Sequence, residues 1–238
     1  MALVLGLLKK RIDKNALASV CVREQGVALA RVRREANLPP VLERALFQPV
    51  QSAQEMDAVL PRLVKAQHLD RAVGIAAMEL GSYALVSVEA PDVKPDELRA
   101  AIRWRVRELI DFHIDDAVVD AFEVPQKNPS GHNRMMYAVV ARSNDVRALI
   151  DRLTQAGLRL EVVDIPELAL RNIASLLPED SGGVALLHLG AERGLIVITR
   201  QQQLYMSRRI ETGLSALPDT AINAGAHDTI EDWLDGII

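Results

Sequence analysis

Chemistry in this chain has few side chains to start from: five histidines (His68, His113, His132, His188 and His227), a single cysteine (Cys21) and the acidic pair Asp115-Asp116. A zinc site takes ligands spaced along one helix face or joined by cysteines. None of the five histidines has a histidine four residues away or a cysteine beside it, so no metal is expected. Cys21 lies in the apolar run Ala18–Val22, which suits a small buried hydrophobe better than a thiolate nucleophile. Asp115-Asp116 offers two carboxylates for acid–base work, yet directly after an arginine-rich segment it reads as a surface turn. The sequence holds no G-x-x-x-x-G-K-[ST] loop, no G-x-S-x-G turn and no H-E-x-x-H pair. Gly190 and Gly194 flank a loop too sparse in glycine to cradle a phosphate. No catalytic residue is assigned.

The elements that would carry any site alternate between strand and helix character. Ala18–Val22 and Val27–Val32 form a hairpin around Arg23-Glu24-Gln25-Gly26, and Ala45–Val50 adds a third strand. Ser52 and Glu55 fit a capping box that opens a helix with Met56, Val59, Leu60, Leu63 and Val64 on one face. Pro61 inside that stripe should kink the helix or start its second half. Strands follow at Ala72–Met78 and Tyr83–Val88. Pro95-Asp96-Glu97 then opens a helix whose apolar face holds Leu98, Ile102, Leu109 and Ile110. Its arginines (Arg99, Arg103, Arg105, Arg107) read as a solvated face.

Val118–Val124 and Met135–Ala141 read as strands around the polar loop Lys127–Asn133. Ser143 should cap the next helix and Gly157 should end it. Leu158–Ile165 is a strand, Pro166 starts a helix that Pro178 ends, and Glu179–Gly183 reads as a linker. After it come Leu186–Leu189, a short loop, Leu195–Arg200, a turn at Gln201–Gln203 and Leu204–Ile210. At the end, Asp228 and Glu231 fit another capping box, with Ile230, Trp233, Leu234, Ile237 and Ile238 on one stripe. This helix is expected to continue in a longer protein or to dock elsewhere.

Composition narrows the class. With 238 residues, 49% of them apolar and only 3% aromatic, the chain can bury a large core built from aliphatic side chains. A net charge of −4 argues against nucleic acid as a partner. One cysteine excludes an internal disulfide. The apolar run Ala2–Leu8 falls far short of the roughly 20 residues of a membrane helix, and its basic cluster follows rather than precedes it. A cytoplasmic protein is expected.

Three stretches carry a family resemblance: Glu97–Ile114 (ELRAAIRWRVRELIDFHI), Leu160–Ile173 (LEVVDIPELALRNI) and the hairpins of Leu186–Gly213. In order and spacing they resemble the PilM-like proteins of type IV pilus assembly and, within them, the MshI type of mannose-sensitive haemagglutinin pilus biogenesis. These belong to the actin-like ATPase superfamily. The resemblance implies an α/β, actin-like (ribonuclease H-like) fold. Residues 1–179 would be the first domain, with an inserted α+β subdomain at about 80–141, and 180–238 the start of a truncated second domain. Strand for strand, the family's phosphate motif Asp-Ile-Gly falls on Cys21-Val22-Arg23 in the first domain and on His188-Leu189-Gly190 in the second. Magnesium prefers hard oxygen ligands, and neither Cys21 nor His188 supplies a carboxylate. Arg23 also puts a long side chain where phosphate would approach the backbone. No cofactor and no catalysis are therefore expected.

What the resemblance implies instead is a scaffold at the cytoplasmic face of the inner membrane. It would hold the short N-terminal peptide of a PilN-like single-span membrane protein, and through that partner associate peripherally with the membrane. A peptide of this kind buries a few apolar anchors and adds backbone hydrogen bonds. Tyr83, Trp104, Leu109 and Phe112 are the expected groove wall. The pilus assembly ATPase and a second copy of the chain are further possible partners. Two alternatives are carried along: the cytoplasmic domain of the L-type inner-membrane component of type II secretion, and an active actin-like ATPase. Residues beyond Ile238 would separate the first alternative, since that protein runs on into a membrane helix.

Overall fold

A computed structural model of the protein describes residues 12–125 and 134–216. The apolar run Ala2–Leu8, the loop Lys127–Asn133, the helix expected from Asp228, and His132 and His227 lie outside the described residues. Among the described residues no helix is long and apolar enough to cross a membrane.

β1 (Asp13–Arg23), β2 (Gly26–Arg33) and β3 (Val41–Pro49) form an antiparallel meander. The strand periodicity sets its inner face: Ala16, Ala18, Val20, Val27 and Leu29 all point into the core. α1 (Ala53–Ala66) follows, opened as its capping sequence requires. Ser52 Oγ accepts from the Glu55 N–H at 3.1 Å, while the Glu55 carboxylate accepts from Gln51 N–H at 2.7 Å, one residue outside the usual box. Pro61 does not split α1: one helix runs through that position, without the hydrogen bond a proline cannot donate. β4 (Ala72–Ala77) then pairs in parallel with β1, and β8 (Leu160–Asp164) in parallel with β4. The order β3-β2-β1-β4-β8 results. α1 brings Met56, Leu60 and Val64 to this sheet, and α3 (Ser143–Gln155) brings Leu153.

α3 ends as its sequence suggests. Gly157 takes φ +90°, its N–H bonds Thr154 O, and Leu158 N–H bonds Leu153 O, which is a Schellman closure. Its start differs from expectation. Arg142 holds the N-cap position without a side-chain capping bond, and Ser143 is already helical, so its hydroxyl caps nothing.

Residues 83–142 build a separate three-stranded sheet, β5-β7-β6, from β5 (Tyr83–Glu89), β6 (Ala117–Glu123) and β7 (Met135–Arg142). α2 covers only Leu98–Val106. Pro95–Glu97 forms a turn in which Glu97 N–H bonds Lys94 O, delaying the helix. At the far end Leu109 N–H bonds Val106 O, a three-residue closure that ends it. Ile102 and Val106 are buried, while Leu109 and Ile110 fall past the helix end.

α4 (Pro166–Ala174) packs on the third sheet, β9 (Val184–Leu189), β10 (Gly194–Arg200) and β11 (Gln203–Ile210). Here the expected strands and loop appear almost residue for residue. The linker does not. Pro178–Ser181 is a 3-10 turn whose Asp180 is buried. Its carboxylate accepts from Thr199 Oγ1 at 2.9 Å and from Gln202 N–H at 2.7 Å, and its carbonyl accepts from Gln201 N–H. Gln201 and Gln202 both have positive φ (51° and 64°), the form a two-residue hairpin turn needs and residues other than glycine or asparagine resist. Asp180 holds that turn in place. Asp180→Ala should therefore cost about 2 kcal/mol in chemical denaturation, because a buried hydroxyl and an amide lose their acceptor.

The chain divides into two compact units, Met1–Leu85 with Arg105–Asp120 and Val139–Ile165, and Val86–Trp104 with Ala121–Ala138 and Pro166–Ile238. The five-stranded sheet with α1 and α3 belongs to the first. The hairpin sheet with α4 belongs to the second.

Candidate functional site

Two loops stand where the resemblance places phosphate contacts. The first closes the β1–β2 hairpin. Cys21 pairs with Ala28, Val22 with Val27 and Arg23 with Gly26, which leaves Glu24-Gln25 as a two-residue turn. Alternation points Val22 toward the core, where it packs against the main cluster, and Cys21 toward the opposite face, half-buried. No carboxylate is present at these three positions. A hard cation on the face of Cys21 would meet a thiol and a guanidinium.

The second loop, Gly190–Arg193, joins β9 to β10. His188 sits opposite Leu195 and Leu189 opposite Gly194, both half-buried at the strand end. The amide of Gly190 and the carbonyls of Gly190 and Ala191 are engaged by the chain itself. Gly190 N–H donates to Arg193 O at 2.8 Å, closing the turn. Gly190 O accepts from Leu214 N–H at 2.9 Å, and Ala191 O accepts from both the N–H and the hydroxyl of Ser215. The Ser215 hydroxyl also lies 2.8 Å from the Glu192 carboxylate. Gly213 allows this close approach, since a Cβ there would collide with the Ala191 carbonyl. Anion cradles need several amide N–H groups converging on open space. Gly190 N–H is committed to Arg193 instead. The tie from Gly213 to Ser215 is not legible in the sequence; the only signal is a Gly-x-Ser separated by two residues from the last strand.

Among the described residues no three His, Cys, Asp or Glu side chains come together in a way that could hold a metal ion. Asp115 and Asp116 are exposed in a 3-10 turn, where the His113 ring accepts from the Asp115 N–H at 3.3 Å. They work as turn residues.

Of the expected groove residues, Tyr83, Leu109 and Phe112 belong to the first unit and Trp104 to the second. Tyr83 is 4% exposed: β5 turns it inward, which takes it off the surface. Trp104 on α2 is 70% exposed and Leu109 is 54% exposed, large apolar areas in a chain with two tryptophans. Phe112 is half-buried beneath Arg142, whose guanidinium carbon lies 4.1 Å from the ring centroid. Arg142 also reaches Asp111 at 3.3 Å, so the cation over that ring is itself held by a carboxylate.

A family model described as Type IV pilus assembly protein PilM matches residues 36–224. No curated protein matches. Among solved structures, the chain is similar to one described as a PilM-PilN type IV pilus biogenesis complex, with 20% identity, TM-score 0.69, and 90% of this chain covering 67% of that one. It is also similar to the cytoplasmic domain of EpsL, an inner membrane component of the type II secretion system of Vibrio cholerae. There the identity is 13%, the TM-score 0.58, and the coverage 82% of this chain and 71% of that one. A third similar structure is a Bacteroides thetaiotaomicron protein with an actin-like ATPase fold and unknown function, at 9% identity, TM-score 0.50, and 88% and 75% coverage.

Proposed function

This chain belongs to the PilM family of type IV pilus assembly proteins and has the actin-like ATPase fold, and from that premise we propose that it acts as a non-catalytic scaffold in a pilus assembly platform. The observation that carries the reading is the pair of loops. Cys21-Val22-Arg23 and His188-Leu189-Gly190 keep the backbone plan of a nucleotide-binding hairpin but supply no carboxylate for magnesium, and Gly190 N–H is spent within its own turn. The fold is retained and its phosphate chemistry is not.

Its partner in this reading is a PilN-like single-span protein of the inner membrane, held by its N-terminal peptide at the cytoplasmic face. The similarity to a PilM-PilN complex supports this choice. Trp104 is the anchor we assign on the scaffold's side. Exposed aromatic side chains at protein surfaces carry a disproportionate share of binding energy. The pilus type is assigned to the mannose-sensitive haemagglutinin class on the three stretches quoted above. A second reading rests on the similarity to the EpsL cytoplasmic domain: the same scaffold serving a type II secretion machine, with the secretion ATPase as its main partner.

The test is a capture from the native host with the full chain as bait, followed by calorimetry. A bitopic pilus protein should be recovered through its N-terminus, and a synthetic peptide of that segment should bind. Trp104→Ala should weaken the peptide at least about tenfold, in line with the loss of a hot-spot side chain. Mg-ATP titrated into the same protein should give no binding heat. Micromolar Mg-ATP binding would restore the ATPase reading, recovery of a secretion ATPase would favour the second, and recovery of soluble metabolic proteins alone would remove both scaffolds.

A further inference from the structure

β3 is the terminal strand of the five-stranded sheet, and among the described residues nothing pairs with its outer side. Long apolar edge strands are usually shortened, charged or covered, because their unpaired backbone recruits another strand. This one is open and greasy. Leu42 is 61% exposed and Phe47 47%, with Val41, Leu46 and the preceding Leu38 also on the surface. Its charges are largely turned away: Arg31 and Arg33 hold the Glu43 carboxylate at 3.2 and 2.6 Å, leaving Arg44 as the outward charge.

The ladder shows which backbone groups are available. Val50 N–H bonds Gln25 O at 3.2 Å where β2 and β3 join, and antiparallel pairing alternates every two residues. Gln48, Leu46 and Arg44 therefore direct their N–H and C=O toward β2. Pro49, Phe47 and Ala45 direct theirs outward. Proline at 49 agrees with this phase, since an outward position needs no donor.

We propose that a second copy of this chain pairs here, β3 against β3, antiparallel about a two-fold axis at Leu46. In that register Ala45 of each copy exchanges two backbone hydrogen bonds with Phe47 of the other, four in all. Leu46 meets Leu46 on one face, and the Phe47 ring covers Ala45 on the other, large against small. Moving the axis to Arg44 sets two guanidinium groups opposite each other, which is unfavourable. Moving it to Ala45 brings Phe47 against Glu43, the bulged residue left out of the ladder at the Arg31/Val32 register shift. Of these three registers the strand is self-complementary in the one centred on Leu46. Pro39, Pro40 and Pro49 bound its length. The contact in this register runs from Glu43 to Pro49 of each copy, a short interface that fits a weak, reversible dimer.

Sedimentation of the full chain tests this. The mass should rise from 26.2 kDa toward twice that value as concentration increases. Ala45→Pro removes an outward N–H and leaves the β2–β3 ladder intact, and Leu46→Lys places like charges on the axis. Each should raise the dissociation constant at least about tenfold, with thermal unfolding of the dilute monomer unchanged. A wild-type chain that stays single up to about 100 µM, or a dimer that survives both substitutions, overturns the proposal. So does a single wild-type chain whose β3 instead captures an extended partner peptide.

Discussion

Arg209→Ala should destabilise the protein by about 3–5 kcal/mol, the loss seen when one member of a buried ion pair is removed. Glu167 sits in the first turn of α4 with no solvent exposure, and the Arg209 guanidinium on β11 lies 3.8 Å away. At that distance Arg209 Nη2 and Glu167 Oε1 attract each other without a direct hydrogen bond between them. Amides at the start of α4 offset part of the carboxylate's burial. They do not replace a full positive charge. Chemical denaturation should show the loss, and Glu167→Gln combined with Arg209→Met should recover most of it, because both charges are then gone. A single Arg209→Ala variant within about 1 kcal/mol of wild type would mean that the carboxylate is held by other groups.

Gly74→Ala should cost about 3 kcal/mol, the upper end for overfilling a packed interior. Gly74 lies in β4, where its N–H bonds Arg159 O at 2.7 Å just ahead of β8. A Cβ there would stand 2.5 Å from that same oxygen and 2.8 Å from Leu158 Cγ. The obstacle is backbone, so no rotamer change relieves it. Gly157→Ala is the informative control: its Cβ would meet nothing within 4 Å, and only the φ of +90° is unfavourable, at about 1–2 kcal/mol. If both substitutions cost the same in one denaturation series, the close approach of β4 to the chain before β8 is not what makes Gly74 necessary.

The difference between these two glycines shows where sequence reading stops. Gly157 was legible because a helix stripe ends beside it and local geometry alone demands positive φ. Gly74 looks like any small residue in an apolar strand; its reason is Arg159, 85 residues away in the chain. The same division separates Ser52 from Ser143. Ser52 has its reciprocal partner three residues on and caps α1. Ser143 has the right type, but β7 runs straight into α3, so the helix takes it into its first turn.

The candidate site divides in the same way. The resemblance puts Cys21 and His188 where the family carries a carboxylate, an expectation that rests on residue identity alone. No residue identity shows that Gly190 and Ala191 are tied down by Leu214 and Ser215. Tyr83, Trp104 and Phe112 read alike as scarce aromatics. Only folding sent the first inside, left the second in solvent and placed the third under Arg142.

Periodicity and turn chemistry act over a few residues, so the order of strands and helices, the hairpins and the aliphatic core were determined by the chain's own local pattern. The burial of Glu167 and Asp180, the tightness at Gly74 and the open edge at β3 depend on segments distant in the chain meeting in space. Those contacts exist only in the tertiary structure, which decided them.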